Sequence, residues 1–297
     1  MKTDKLHLQW LSGRDDPDTE GSGTSVAASA HADASGWLML MPDSAIASAK
    51  GGSGGGGGSG GGGTDSGDKL YQAGAADGTA GYDIAIQFSG SGWTAAMRDG
   101  FVQAANYLTT VITADIGGGA IIGGKFVDDL YITASLRGID GEGGVLAQAG
   151  PSRIWTGNEL AATGSMAFDL VDAGTFLAAG LWDDIVMHEM MHVLGFGSLW
   201  NYGANPLVAD RTHYIGAAGV AAWQAETGST DNFIPVEDGG GSGTVGAHWD
   251  EELLGNELMT GYIDDANYLS KFSVVSLADL GYTVGYIDYP NDNVQVA

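Results

Sequence analysis

Residues 181–200 read LWDDIVMHEMMHVLGFGSLW, and this stretch constrains the chain more than any other. His188 and His192 stand four residues apart, with Glu189 beside the first and Gly195 three residues beyond the second. On a helix, four residues turn through roughly 400°, so the two imidazoles project about 40° apart on one face. Both can reach one ion from the same side. Glu189 points about 100° away from His188, where it can meet a water at that ion without ligating it. The surroundings suit a helix. Asp183 and Asp184 stand where its N-terminus belongs, placed for capping and for the helix dipole. Ile185, Val186, Val193 and Leu194 supply apolar packing, and Gly195 can take the positive φ that ends the helix. The bland alternative is that three polar residues fell together by chance on an ordinary helix. It is weak in a chain with only six histidines.

A catalytic metal usually takes three protein ligands, and this helix supplies two. Cysteine cannot be the third, because the chain has none, which also excludes disulfides and thiolate nucleophiles. The following GFGSLWNYG offers no ligand. His7 and His31 lie in a polar N-terminal stretch, His213 in DRTHYIG, and His248 in GGGSGTVGAHWDEELLGNELMTGY. His248, 56 residues beyond His192, is the better candidate. A glycine-rich loop lets the backbone swing in, and Met259 follows in a candidate tight turn, LMTG. His213 and the carboxylates of Asp250 and Glu251 stand as alternatives.

Taken together, HEMMHVLGF, the long insertion, HWDEELLGNELMTGYI and LADLGYTV resemble the leishmanolysin-type metzincins, over roughly residues 76–290. The HExxHxxG spacing is that of metzincins, with Ser198 where their short form carries the third histidine. The resemblance implies a zinc-dependent endopeptidase acting on protein or peptide substrates. One catalytic Zn2+ would sit on His188, His192 and His248, with Glu189 as general base and Met259 in a turn beneath the metal. It also implies secretion. The lack of cysteine and of a lipid-anchor tail points to a smaller bacterial relative.

Weaker likenesses follow. IDGEGGVLAQAG, residues 139–150, resembles the loop and strand beside the active site of matrix-type metzincins, where structural ions sit. Asp140 and Glu142 would then bind Ca2+ with backbone carbonyls, against the simpler reading of a solvated turn. SMAFDL reads as an edge strand for a substrate peptide. Tyr262, just past the Met turn, is one residue away from where some metzincins place an oxyanion-stabilising tyrosine. A competing class is a zinc-binding adhesin or interaction protein without proteolytic activity. A closed four-ligand site would mark it, and Glu189 would have no purpose there.

A net charge of −26, from 37 acidic and 11 basic residues, repels phosphate backbones and argues against nucleic acid as a partner. No apolar run is long enough to cross a membrane. The opening MKTDKLHLQW lacks the apolar core of a cleaved signal peptide. Nothing in the pattern specifies an oligomer. Residues 1–75 read as a polar segment, a candidate pro-segment, with one apolar island, GWLMLMPDSAIASA, and a flexible linker, KGGSGGGGGSGGGGTDSGD.

From residue 76 the periodicities change. Ile84, Ile86 and Phe88 share one face of a strand. Met97, Phe101, Ala104, Ala105 and Leu108 recur at helical spacing. Leu130, Ile132 and Ala134 mark a second strand, and helical spacing runs on from Asp172 to Phe196. The expectation is an α+β, metzincin-like fold. A twisted mixed sheet and the active-site helix occupy residues 76–197. A loop-rich part, 198–297, closes with the helix in SKFSVVSLADL, stopped by Gly281.

Overall fold

The alternation at Ile84, Ile86 and Phe88 needs an apolar layer to face. In the computed structural model all three point into a core shared with two helices. The structure describes residues 6–7, 37–39, 69–74, 81–116, 119–122, 124–202, 207–241 and 243–290. The glycine-rich tract expected as a linker lies outside them. In chain order the strands are β1 (Leu6–His7), β2 (Trp37–Met39), β3 (Lys69–Ala73), β4 (Ile84–Ser89), β5 (Ala120–Ile122), β6 (Lys125–Val127) and β7 (Leu130–Arg137). They continue with β8 (Ala147–Trp155), β9 (Ala161–Asp169), β10 (Val208–Ala209), β11 (His213–Tyr214), β12 (Ile234–Pro235) and β13 (Tyr262–Ile263). The helices are α1 (Ala95–Val111), α2 (Leu170–Ala179), α3 (Trp182–Leu194), α4 (Ala217–Thr227), α5 (Glu251–Leu254) and α6 (Lys271–Leu280).

Six strands form the main sheet in the order β2-β8-β9-β7-β4-β3. Strands β4, β7 and β9 run parallel, while β8 is antiparallel to β9 and β3 to β4. The sheet is thus mixed, as expected. SMAFDL is not its edge. Residues of β9 pair with β7 on one side and β8 on the other, so the stretch is interior. Among the described residues, β8 is paired on its other side by β2 over Arg153–Trp155. The apolar island of the N-terminal segment therefore contributes a strand to the sheet. Leu6 and His7 pair with Ile263 and Tyr262, and the opposite edge strand β3 starts at Lys69, within the segment placed ahead of residue 76.

Thr94 caps α1, its hydroxyl accepting from the Met97 amide at 3.1 Å. The helix buries Met97, Phe101, Ala104, Ala105 and Leu108 against the sheet. Phe101 sits edge-on to Phe88, Trp93 and Phe168, with centroids 5.0, 5.5 and 5.5 Å away. Burying a ring of this size contributes about 1.5–3 kcal/mol.

The helical spacing from Asp172 onward is interrupted. Gly180 takes φ 74° and ends α2, and α3 starts afresh at Trp182. The aspartates do not cap α3. Its N-cap is Leu181, with no side-chain cap, and Asp183 and Asp184 lie inside the first turn, favourable to the dipole, with Asp184 also accepting from the Asn267 side chain at 2.9 Å. The start is fixed instead by Trp182, whose indole donates to the Met97 carbonyl of α1 at 2.8 Å. Gly195 at φ 116° ends the helix, as its place in the motif suggests.

Beyond α3 the chain makes a small antiparallel sheet, β10-β11-β12, and packs α4 on α6. Asp279 of α6 accepts the Ala218 and Gly219 amides at the start of α4, both at 2.8 Å. Gly281 ends α6 in the left-handed region. Among the described residues no helix is long and apolar enough to cross a membrane.

Candidate metal centre

Helix α3 presents His188 and His192 from one face, and the loop before α5 brings His248 to them. The Nε2 atoms of His188 and His192 are 2.9 Å apart. The Nε2 of His248 is 3.2 Å from the first and 3.0 Å from the second. All three rings are fully buried. Each outer nitrogen meets a main-chain carbonyl: His188 Nδ1 with Leu258 at 2.7 Å, His192 Nδ1 with Phe196 at 2.9 Å, and His248 Nδ1 with Thr244 at 3.0 Å. A carbonyl only accepts, so each Nδ1 carries the proton and each Nε2 turns a lone pair inward.

Three inward lone pairs repel one another unless a cation sits among them. Nitrogen ligands about 2.1 Å from zinc in tetrahedral directions stand roughly 3.4 Å apart, within about half an ångström of the spacing found here. The donor set fits zinc. Burial holds two of the rings neutral: the pKa of His188 falls to about 4, and that of His192 falls well below its usual value through burial and the neighbouring imidazoles. Neutral imidazole is the form a metal binds. Among the described residues, this is the group of three histidine or carboxylate side chains whose ligand atoms converge.

Glu189 is 1% exposed, and burial pushes its pKa well above the usual carboxylate range. Its Oε2 has no hydrogen-bond partner among the described residues. A buried acceptor left in this way costs about 1–3 kcal/mol. It stands on the same helix as His188 and His192, next to His188 in the chain.

The third histidine arrives through close contacts rather than helical period. Gly197 has φ 66°, and a Cβ there would overlap the backbone of Ala247. Trp249, next to His248, is fully buried among Phe196, Trp200 and Tyr214, with centroids 4.9, 4.9 and 5.2 Å away. The Trp249 amide donates to the Met259 carbonyl at 3.0 Å. On the other side the Glu237 amide donates to the His248 carbonyl at 3.0 Å.

The other candidates lie elsewhere. His213 is half-exposed, bonded to Asp210 at 2.7 Å and packed on Phe233. Asp250 caps α5 by accepting from Leu253, and the amide of Glu251 donates to Glu237. Met259 is fully buried in the turn whose Leu258 carbonyl holds His188. Tyr262 pairs with His7 in β13, and its hydroxyl lies beside Gly240. Asp140 and Glu142 are exposed, and Asp140 accepts the Val145 amide at 3.0 Å. Their loop is closed by Asp169 and Asp172, which accept the amides of Ile139 and Gly143. Sequence reasoning misses the three carbonyls, which carry no side-chain signature. It also misses Trp249, whose signal is a tryptophan directly after a candidate ligand.

Two helix-borne histidines closing on a distant third, with a carboxylate beside them, are the arrangement of zinc-dependent peptidases. The leishmanolysin family model matches residues 137–294, just over half of the chain, and the chain belongs to the leishmanolysin family, whose members are zinc metalloendopeptidases. A leishmanolysin homolog from Crithidia fasciculata is 34% identical over 107 residues, which make up 33% of this chain and 16% of that protein. The chain therefore matches only a small part of that relative's length.

Proposed function

We propose that this protein is a zinc-dependent endopeptidase that hydrolyses peptide bonds in extracellular proteins or peptides. The observation that carries the reading is the convergence of three buried imidazoles, together with a buried oxygen of the adjoining Glu189 that has no hydrogen-bond partner among the described residues. His188, His192 and His248 would hold the ion. When bound, zinc supplies Lewis acidity, which lowers the pKa of water and polarises a peptide carbonyl. Glu189 takes a proton from the attacking water at its carboxylate and delivers it to the leaving amine nitrogen. Burial raises its pKa, which favours its taking that proton. Met259 forms the apolar floor beneath the ligands. Among the described residues β2 pairs with β8 over Arg153–Trp155 alone, and a peptide can lie extended along the preceding stretch of β8, Ala147–Ser152.

Among the described residues no fourth side chain closes on the three imidazoles, which favours an open catalytic position over a purely structural ion. Glu189→Gln tests the reading. Cleavage of a casein or peptide-library substrate should fall about 10²–10⁴-fold, with zinc stoichiometry unchanged and chelation abolishing the activity of the parent. Retained cleavage in the variant would remove Glu189 from its role, and chelator-resistant cleavage would remove the metal.

A further inference from the structure

Nine residues beyond His248 lies a carboxylate that the proposed chemistry leaves unused. Glu257 is fully buried. Its Oε2 accepts the Met259 amide at 2.6 Å. Its Oε1 accepts the Ser270 amide at 3.0 Å and the hydroxyls of Ser270 at 2.7 Å and Ser273 at 2.6 Å. Four donors converge on one side chain in the core, where an apolar residue of similar size would avoid the desolvation cost of a carboxylate. Burial raises its pKa, and the donated hydrogen bonds oppose that rise.

The partners of Glu257 lead to two of the three histidines. Between Glu257 and Met259 stands Leu258, whose carbonyl holds His188 Nδ1. Pinning the Met259 amide to the carboxylate fixes the direction of that carbonyl. The Leu258 amide is held in turn by the Tyr268 carbonyl at 2.8 Å. On the other side, the Ser273 hydroxyl accepts the Trp249 indole N–H at 2.7 Å, and Trp249 adjoins His248 in the chain. Trp249 also donates its amide to Met259. One side chain thus braces the helix-borne ligand through the turn and the loop-borne ligand through α6.

We infer that Glu257 is a positioning residue for the metal centre, setting the Leu258 carbonyl against His188 and, through Ser273 and Trp249, the placement of His248. The inference rests on the reading of the three histidines as zinc ligands. Groups that orient metal-bound histidines typically change metal affinity by about 10–100-fold when altered.

The test is Glu257→Gln. It keeps the volume but replaces one accepting oxygen by an amide that meets a donor. The metal-free variant should unfold cooperatively, and its affinity for Zn2+ and Co2+ should fall about 10–100-fold. The visible absorption of the cobalt form, which reports ligand geometry, should shift. Ser273→Ala keeps the carboxylate and the Met259 bond but cuts the link to Trp249. It should lower affinity less, about 3–10-fold, and it carries the test if Glu257→Gln does not fold. Parent-like affinity together with a parent-like cobalt spectrum in a folded variant would reduce Glu257 to an ordinary core acceptor. Failure of the parent chain to bind either metal would instead sink the zinc centre itself, and the inference with it.

Discussion

His188 and His192 reach the candidate metal centre by a different route from His248. The first two need only a helix: a four-residue spacing on α3 puts their Nε2 atoms 2.9 Å apart. His248 comes from 56 residues away and depends on a backbone approach at Gly197, an aromatic cluster around Trp249 and a buried carboxylate in the following turn. The helical pair is made by local period and the loop ligand by tertiary packing. Damage to the packing should therefore separate the two sides of the site, whereas damage to the period should destroy both.

The largest separation concerns protonation. His188 is neutral because it is buried, with its pKa lowered from 6.5 to about 4. Above pH 6.5 neither folded nor unfolded chain protonates it. Between 6.5 and 4 the unfolded chain takes up a proton that the folded chain refuses, so stability falls as the pH drops. That amounts to about 3 kcal/mol from this group alone. Buried carboxylates such as Glu189 titrate in the opposite sense, so the effect is read as a difference. Between pH 6.5 and 4 the metal-free parent should lose about 3 kcal/mol more than His188→Gln. Parallel stability curves for the two proteins would show that burial does not hold His188 neutral.

A smaller effect compares two glycines. Both Gly195 and Gly197 have positive φ, and either substitution by alanine should cost about 1–3 kcal/mol. They differ in what a new Cβ meets. At Gly195 it meets the side chains of Leu199 and Leu280, which can yield, and at Gly197 it meets the backbone of Ala247, next to His248. Gly197→Ala should weaken zinc binding about 10-fold, by analogy with other losses of ligand support, and Gly195→Ala by less. Equal affinities in the two variants would mean that the approach of 247 to 197 does not govern the third ligand.

The same division explains what the sequence reveals. Residues whose burial follows a local period are readable in advance. Met97, Phe101, Ala104, Ala105 and Leu108 do line the buried face of α1, and Ile84, Ile86 and Phe88 that of β4. The two histidines of α3 belong to this class. Strand order does not, because pairing depends on residues far apart. SMAFDL reads as an edge but lies between β7 and β8. Helical spacing also runs through Gly180 without signalling that its φ of 74° starts a new helix. His248 could be ranked above His213 from its glycine-rich approach and the methionine downstream, and the fold brings His248, not His213, to the helical pair. What holds it there could not be read. Main-chain carbonyls are chemically alike at every position, and the bonds of Glu257 to Ser270 and Ser273 join stretches with no shared pattern.

Zinc titration of the metal-free chain, followed by calorimetry or a competing chelator, tests most directly whether helix and loop build one centre. The parent, His192→Ala, His248→Ala and His213→Ala should be measured together. The expected result is one ion per chain in the parent and in His213→Ala. His192→Ala and His248→Ala should each lose at least about 100-fold in affinity, since removing a ligand costs no less than removing its support. Parent-like affinity in His248→Ala, or a loss confined to His213→Ala, would contradict a centre made by α3 and the distant loop.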